Sequence, residues 1–277
     1  MQGTKMELFV NGSNTYCYTG GKPFDAAKPT VVFIHGVLND HSVWILQSRY
    51  LAHHGWNVLA VDLPGHCKSE GEAPASVEAA ADFVAALLDA AGVQKAALVG
   101  HSWGSLIALE AAARLKDRVS HLVLVGVAYP MKVSPALIEA SLNEPEKALK
   151  MVNVFSRSTL AAPPSALGPG TWVYGASMAL GRRVLRSNTK VNVFHRGFVA
   201  CDSYNGGEAA VAQLTCPVLF LLGGQDQMTH PKAAQGLVQA ARAKGLRVSV
   251  TSVPVGHHQM TEAPEETLVA MRNFLAT

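Results

Sequence analysis

A chain of 277 residues is long enough for one large α/β domain, or for one domain that carries an insert. Lys and Arg total 23 against 20 Asp and Glu, a net charge of +3 with no basic block, which writes neither a nucleic-acid footprint nor a funnel for acidic substrates into the charge. Apolar residues make up 49% and charged ones 16%, which excludes disorder, and the longest apolar runs, such as Leu122 to Ala128, fall far short of a membrane span.

Met1-Gln2-Gly3-Thr4-Lys5-Met6 carries no apolar stretch of the kind a secretory signal needs, so the cytoplasm is the expected compartment. Met6 to Val10 and Thr15 to Tyr18 read as two short strands around Asn11-Gly12-Ser13, an Asn-Gly hairpin turn rather than a glycosylated loop. The grammar then changes. Val31 to Ile34, Val58 to Val61 and Ala97 to Val99 are short apolar runs that each end in a polar loop, as parallel strands buried on both faces do. Val77, Ala81, Val84, Leu88 and Ala91 step by four and three, with Ser76 placed as N-cap and Gly92 just past the end, which predicts an amphipathic helix. A second helix, Ala/Leu-rich nearly all round, follows from Ser102 to about Leu115, and Leu122 to Val127 reads as the next buried strand.

From Tyr129 to Gly207 the alternation stops. Pro130, Pro135, Pro145, Pro163-Pro164, Gly168-Pro169-Gly170 and Gly206-Gly207 break this stretch into short helices and loops, the signature of an insert. Strands resume with Val218 to Leu222 and Val248 to Val253, and a helix opened by Pro264-Glu265-Glu266 closes the chain. The expected organisation is a mostly parallel α/β core of residues 1–128 and 208–277, with residues 129–207 as a mainly helical cap. Cys17, Cys67, Cys201 and Cys216 lie far apart with no Cys-x-x-Cys pair, which fits unlinked thiols better than a disulfide framework or a zinc site. No His-Glu-x-x-His occurs, and the adjacent His53 and His54 cannot share a helical face, so neither a metal nor a cofactor is expected.

Gly100-His101-Ser102-Trp103-Gly104 sits where a strand meets a helix, the context that the G-x-S-x-G turn requires, and Ser102 is the candidate nucleophile. A serine hydroxyl is weak at neutral pH and needs a base, which in turn needs an orienting group. After such a turn the chain order is Ser, acid, His. Among downstream aspartates, Asp117 and Asp202 lie near a helix end and in the insert, whereas Asp226 directly follows a buried strand. Of the histidines, His121 precedes a strand, His195 lies in the insert and His230 starts a helix, which leaves the pair His257 and His258 after the last strand. The residues by themselves do not choose between these two.

With these motifs the sequence resembles the α/β-hydrolase-fold serine hydrolases, over about residues 6–128 and 211–277. Gly256-His257 followed by Glu262-Ala263-Pro264 is similar to the family's GHxxxxExP ending, and that resemblance implies His257 as the base. His35-Gly36-Val37 resembles the family's HG turn, which implies the Val37 backbone N–H as one oxyanion donor and that of Trp103 as the other. His35 itself is assigned no chemistry. Asp62-Leu63-Pro64-Gly65-His66-Cys67-Lys68-Ser69 resembles DxPGHGxS, with Cys67 where the family carries glycine; Cys67 reads as a packed residue, not a reactive thiol. A serine at the turn argues against haloalkane dehalogenases and epoxide hydrolases, which use aspartate there.

The expected reaction is hydrolysis of a carboxylic ester of a small to medium, largely apolar molecule. The same three groups also serve amide, thioester or carbon-carbon cleavage, acyl transfer and perhydrolysis, and a non-catalytic ligand-binding member of the fold is the remaining class. Met131, Val133, Leu137, Ile138, Phe155, Trp172, Tyr174, Met178 and Phe198 are the candidates to line an apolar pocket, with ordinary packing as the competing reading. Arg182, Arg183 and Arg186 suggest either a contact to an anionic substrate or a solvated helix face. The expected partner is a small-molecule substrate.

Overall fold

The computed structural model describes residues 5–158 and 173–277. The segment before Lys5, the breakers Pro163-Pro164 and Gly168-Pro169-Gly170, and the pocket candidate Trp172 lie outside the described residues. Strands β1 (Lys5–Val10) and β2 (Ser13–Tyr18) form the expected hairpin, with Val10 paired to Ser13 and both Asn11 and Gly12 at positive φ. There follow β3 (Thr30–Ile34), α1 (Ile45–His53), β4 (Asn57–Val61), α2 (Val77–Ala90), β5 (Ala96–His101), α3 (Trp103–Leu115) and β6 (Val119–Val125). Among the described residues four helices come next: α4 (Pro135–Asn143), α5 (Pro145–Phe155), α6 (Val173–Ser187) and α7 (Val193–Ser203). The chain returns through α8 (Gly207–Gln213), which packs on α3, then β7 (Val218–Gly223), α9 (Gln235–Ala243), β8 (Val248–Val253), the single turn α10 (Gln259–Glu262) and α11 (Pro264–Leu275). Among the described residues no helix is long and apolar enough to cross a membrane.

The eight strands form one sheet in the order β1-β2-β4-β3-β5-β6-β7-β8, antiparallel at β1-β2-β4 and parallel from β4 onward. Its side chains alternate between two cores, which is why the central strands read as unbroken apolar runs. Val32, Ile34 and Leu98 face α2, α3, α8 and α9, whereas Val31, Phe33 and Val99 face α1 and α11. Burying each such side chain contributes about 1.5–3 kcal/mol. A third cluster, including Leu137, Leu149, Met178 and Phe194, holds α4 to α7 together and reaches Leu38 of the core.

Local signals account for several elements. Ser76 Oγ accepts from the Ala79 N–H, Gly92 takes positive φ past the end of α2, and Pro264 occupies the first turn of α11 with Glu265 and Glu266 beside it. Helix α1 gives no such signal, because its pattern is inverted. Its buried face carries Gln47 and Ser48 beside Leu51 and Ala52, while Ile45 and Leu46 are exposed. Strand β6 begins ahead of the apolar run, so His121 lies inside the strand, its ring against Phe274, and not before it.

Parallel registry brings the ends of the strands to one edge. Ile34 pairs with Gly100, His101 with Val125, and Gly223 with Val253. The loops that carry Val37, Ser102, Asp226 and His257 therefore emerge along one side of the sheet, where open α/β sheets place their ligands.

Candidate active site

Ser102 stands between β5 and α3 with φ 54° and ψ −121°, a strained conformation for a residue with a side chain. The surroundings dictate it. A Cβ on Gly100 would run into the Gly104 carbonyl, and one on Gly104 into the Ile34 carbonyl, so the two flanking glycines let the turn close against β3. The Ser102 N–H donates to the Val125 carbonyl at 2.9 Å, and its own carbonyl accepts from the Ser105 N–H at 2.8 Å. Trp103 is the first residue of α3, so its N–H is among the helix's donors without an intrahelical partner.

Asp226 follows β7 and is 1% exposed. Oδ1 accepts from the N–H groups of Met228 and Thr229, both at 2.8 Å; Oδ2 accepts from Thr229 Oγ1 at 2.7 Å and from His257 Nδ1 at 2.8 Å. Burial pushes this carboxyl upward, but the His257 ring and the Thr229 donors outweigh it and hold the pKa below its ordinary value. An ionised carboxylate only accepts, so the imidazole hydrogen sits on Nδ1 and the Nε2 lone pair is free to take a proton. His258 makes no such contact. Burial, then neighbouring Arg157, drives its ring well below the ordinary histidine pKa.

The backbone of His257 is gripped from two sides. Its N–H donates to the Ser156 carbonyl at 2.8 Å, and its carbonyl accepts from Nε2 of His101 at 2.8 Å. Burial lowers the His101 ring to about 3, so the ring is neutral and donates from Nε2. Glu262, 1% exposed, braces the loop: its carboxylate accepts from the N–H groups of Ser158, Gly256 and His258 at 3.0–3.1 Å and faces Arg157 Nη1 at 3.8 Å. The E of the GHxxxxExP ending is thus the acceptor for the histidine loop and for the segment after α5. Glu262→Ala is expected to lose about 3–5 kcal/mol, because three N–H groups lose their acceptor while the Arg157 guanidinium, still bonded to Thr261 and Ser177, loses its nearby carboxylate. Glu262→Gln keeps one acceptor oxygen and loses less. Urea midpoints check this, and an unchanged midpoint in Glu262→Ala would remove Glu262 from the framework.

Ser102, His257 and Val37 line one cavity of about 270 Å³. Of the sequence candidates, Met131, Val133, Leu137, Phe155 and Phe198 line it as well. Met178 is buried among the insert helices instead, where its sulfur accepts from Asn153, and Ile138 and Tyr174 are not in the lining. Met151, Cys201, Met228 and Thr229, which the sequence does not single out, line it too, together with the polar Lys132, Ser134 and Gln227. Met228 and Thr229 sit two and three residues past Asp226, a spacing that could have flagged them.

His35, assigned no chemistry from the sequence, holds two loops together. Its buried ring accepts from the Leu63 N–H through Nε2 at 3.1 Å and donates to the Gly36 carbonyl from Nδ1 at 2.9 Å, tying the turn before Val37 to the loop after β4; burial holds its pKa low. Cys67 takes φ 46°, a backbone conformation that the glycine of the related motif adopts without strain. Burial, then Asp40, pushes its thiol up to about 12, the opposite of an activated nucleophile. All four cysteines are free. Among the described residues Asp40, His41 and Asp62 bring three potential metal ligands within 4.8 Å of one another. Their oxygens are already engaged: Asp62 by His41 and the Lys68 N–H, Asp40 by Ser42 and Arg183.

Comparison with known proteins agrees with this architecture. The sequence profile of the alpha/beta hydrolase fold matches residues 29–264. The chain is 32% identical over 238 residues to the pimeloyl-[acyl-carrier protein] methyl ester esterase of Neisseria meningitidis serogroup A, covering 82% of this chain and 70% of that protein. It is 36% identical over 120 residues to lipase LipV of Mycobacterium tuberculosis, a match that spans 42% of this chain and 44% of the lipase. Among solved structures, the esterase of Exiguobacterium antarcticum superposes with a TM-score of 0.81 at 17% identity over the whole of both chains. The enol-lactonase of Burkholderia xenovorans LB400 gives 0.79 at 21%, covering 98% of this chain and 100% of that one. At such identities the likeness concerns the fold. The sheet order, the strained serine turn after β5 and a family match over most of the length lead to one conclusion: the chain belongs to the alpha/beta hydrolase fold family.

Proposed function

We propose that the protein is a serine hydrolase that cleaves carboxylic esters of small to medium, largely apolar acyl groups through an acyl-enzyme. One observation carries the reading: the hydrogen-bonded pair Asp226–His257 adjoins the same apolar cavity that Ser102 lines. Ser102 Oγ attacks the ester carbonyl as its proton passes to His257 Nε2. The Val37 and Trp103 N–H groups receive the oxyanion. Collapse expels the alcohol, which takes the proton back from Nε2, and water repeats the sequence on the acyl-enzyme. Asp226 keeps the hydrogen on Nδ1 and stabilises the imidazolium. The mechanism calls for no cofactor. The N. meningitidis relative, named for a methyl ester, supports an ester as the bond.

In this reading residues 1–128 and 208–277 are the catalytic core, and residues 129–207 are a lid that selects the acyl group. The methionines Met131, Met151 and Met228 give the cavity a wall that adapts to flexible chains. The free thiols suit a reducing compartment, and we place the reaction in the cytoplasm.

The test is a fluorophosphonate adduct mapped by mass spectrometry, combined with turnover of p-nitrophenyl acetate, butyrate, hexanoate and octanoate. The adduct is expected on Ser102. kcat/KM is expected to rise by up to about fourfold per added methylene until the cavity is filled, since each buried CH₂ contributes about 0.8 kcal/mol. No adduct and no turnover would sink the proposal; an adduct with a flat chain-length profile would sink the assignment of the acyl pocket.

A further inference from the structure

A second cleft, of about 840 Å³, opens on the seam between α6 and the loops after β3 and β4. Lys68, Arg182, Arg183 and Arg186 line it, with Asp40 the carboxylate among its lining residues. Asp40 is spent on Arg183, whose Nε and Nη2 reach Oδ2 at 3.1 and 2.6 Å, and Arg182 is paired with Glu146 on α5. Among the described residues neither Lys68 nor Arg186 makes an ion pair. Two positive charges thus line the cleft outside any ion pair.

Two of these exposed cations are held in place. Lys68 is held over the ring of Tyr16 at 4.3 Å, and Arg183 is fixed by the buried Asp40 and by Ser42 Oγ at 3.0 Å. Arg186 lies one turn beyond Arg182 and Arg183, a spacing at which like charges repel along a helix. Glu146 and Asp40 offset part of that repulsion, and a lysine from another part of the chain adds to what is left. A multiply charged oxyanion relieves it, and cations converging from two elements match the several oxygens of a phosphate.

We propose that this cleft binds a phosphate-bearing small molecule, held by Lys68 and Arg186 against the fixed guanidinium of Arg183. The site is independent of the bond that Ser102 cleaves. Asp40 lies three residues past Val37, so the same loop borders both the active-site cavity and the cleft, and a bound anion would join α6 to that loop.

Isothermal titration of the full chain with inorganic pyrophosphate, in 150 mM sodium chloride, tests this. Wild type is expected to bind one equivalent. Lys68→Ala/Arg186→Ala is expected to bind at least tenfold more weakly, and Lys68→Arg/Arg186→Lys, which keeps both charges, to bind within severalfold of wild type. The control Lys22→Ala/Arg49→Ala, which removes two charges elsewhere on the exposed surface, is expected to bind as wild type does. No binding by wild type, or equal loss in the control, overturns the site. Malonate binding as tightly as pyrophosphate overturns its assignment to phosphate.

Discussion

Ser102→Ala is expected to lower kcat on p-nitrophenyl butyrate by on the order of 10⁶-fold, because nucleophile and base act as one unit and neither retains much activity without the other. In the proposed mechanism the residual rate is what the cavity and the two N–H donors would supply by positioning and charge stabilisation. The fold is expected to be indifferent. Alanine meets the same backbone strain at φ 54°, and the flanking N–H and carbonyl bonds to Val125 and Ser105 do not involve the side chain. Stability should therefore stay within about 1 kcal/mol of wild type, which separates loss of chemistry from loss of structure. A folded Ser102→Ala protein that keeps a tenth of the activity would place the nucleophile elsewhere.

Asp226→Asn is expected to lower kcat by about 10⁴-fold while substrate binding changes little. The carboxylate only accepts, which keeps the imidazole hydrogen on Nδ1. An amide in its place can donate to Nδ1, moving the hydrogen to Nε2 and leaving no base for Ser102. The acid also has a thermodynamic signature. Its folded-state pKa lies below the ordinary 3.8, so the stability it contributes is complete above that value and is lost as pH falls through the depressed one. Asp226→Asn lacks this titration, so the stability gap between wild type and variant should narrow as the medium is acidified below 3.8. Urea melts at pH 7 and at pH 3 check the sign. A gap that widens in acid would show that the carboxyl is not stabilised as an ion in the folded state.

Other residues that hold the site were less visible. His101 reads in the sequence as the variable position of a serine turn, yet its neutral ring supports the backbone of His257 across 156 positions of chain. Glu262 is part of a recognisable ending, but what it bonds, including the N–H of Ser158 beyond α5, depends on a contact between the insert and the core. In the sequence only a resemblance favours His257 over His258, whereas in the fold it is His257 Nδ1 that bonds Asp226, at 2.8 Å. The apolar wall was half foreseen: Met131, Val133, Leu137, Phe155 and Phe198 face the cavity, whereas Met178 turns into the insert's own core.

The elements legible in the chain are those whose cause is local. The Asn11-Gly12 turn, the Ser76 cap, the Pro264 helix start and the serine turn flanked by Gly100 and Gly104 each depend on backbone conformations and hydrogen bonds within a few residues. Unbroken apolar strands likewise announce a sheet covered on both faces, and hence the edge where the site must lie. Helix α1 escaped this logic because burial, not periodicity, decides which face of it points inward, and Gln47 is accepted inside by donating to the Met260 carbonyl, 213 positions away. The convergence of Lys68 with the arginines of α6 is of the same kind. Short-range sterics and capping act along the chain and can be read from it; the pairing of distant polar groups depends on which surfaces packing brings together, and that is set by the fold as a whole.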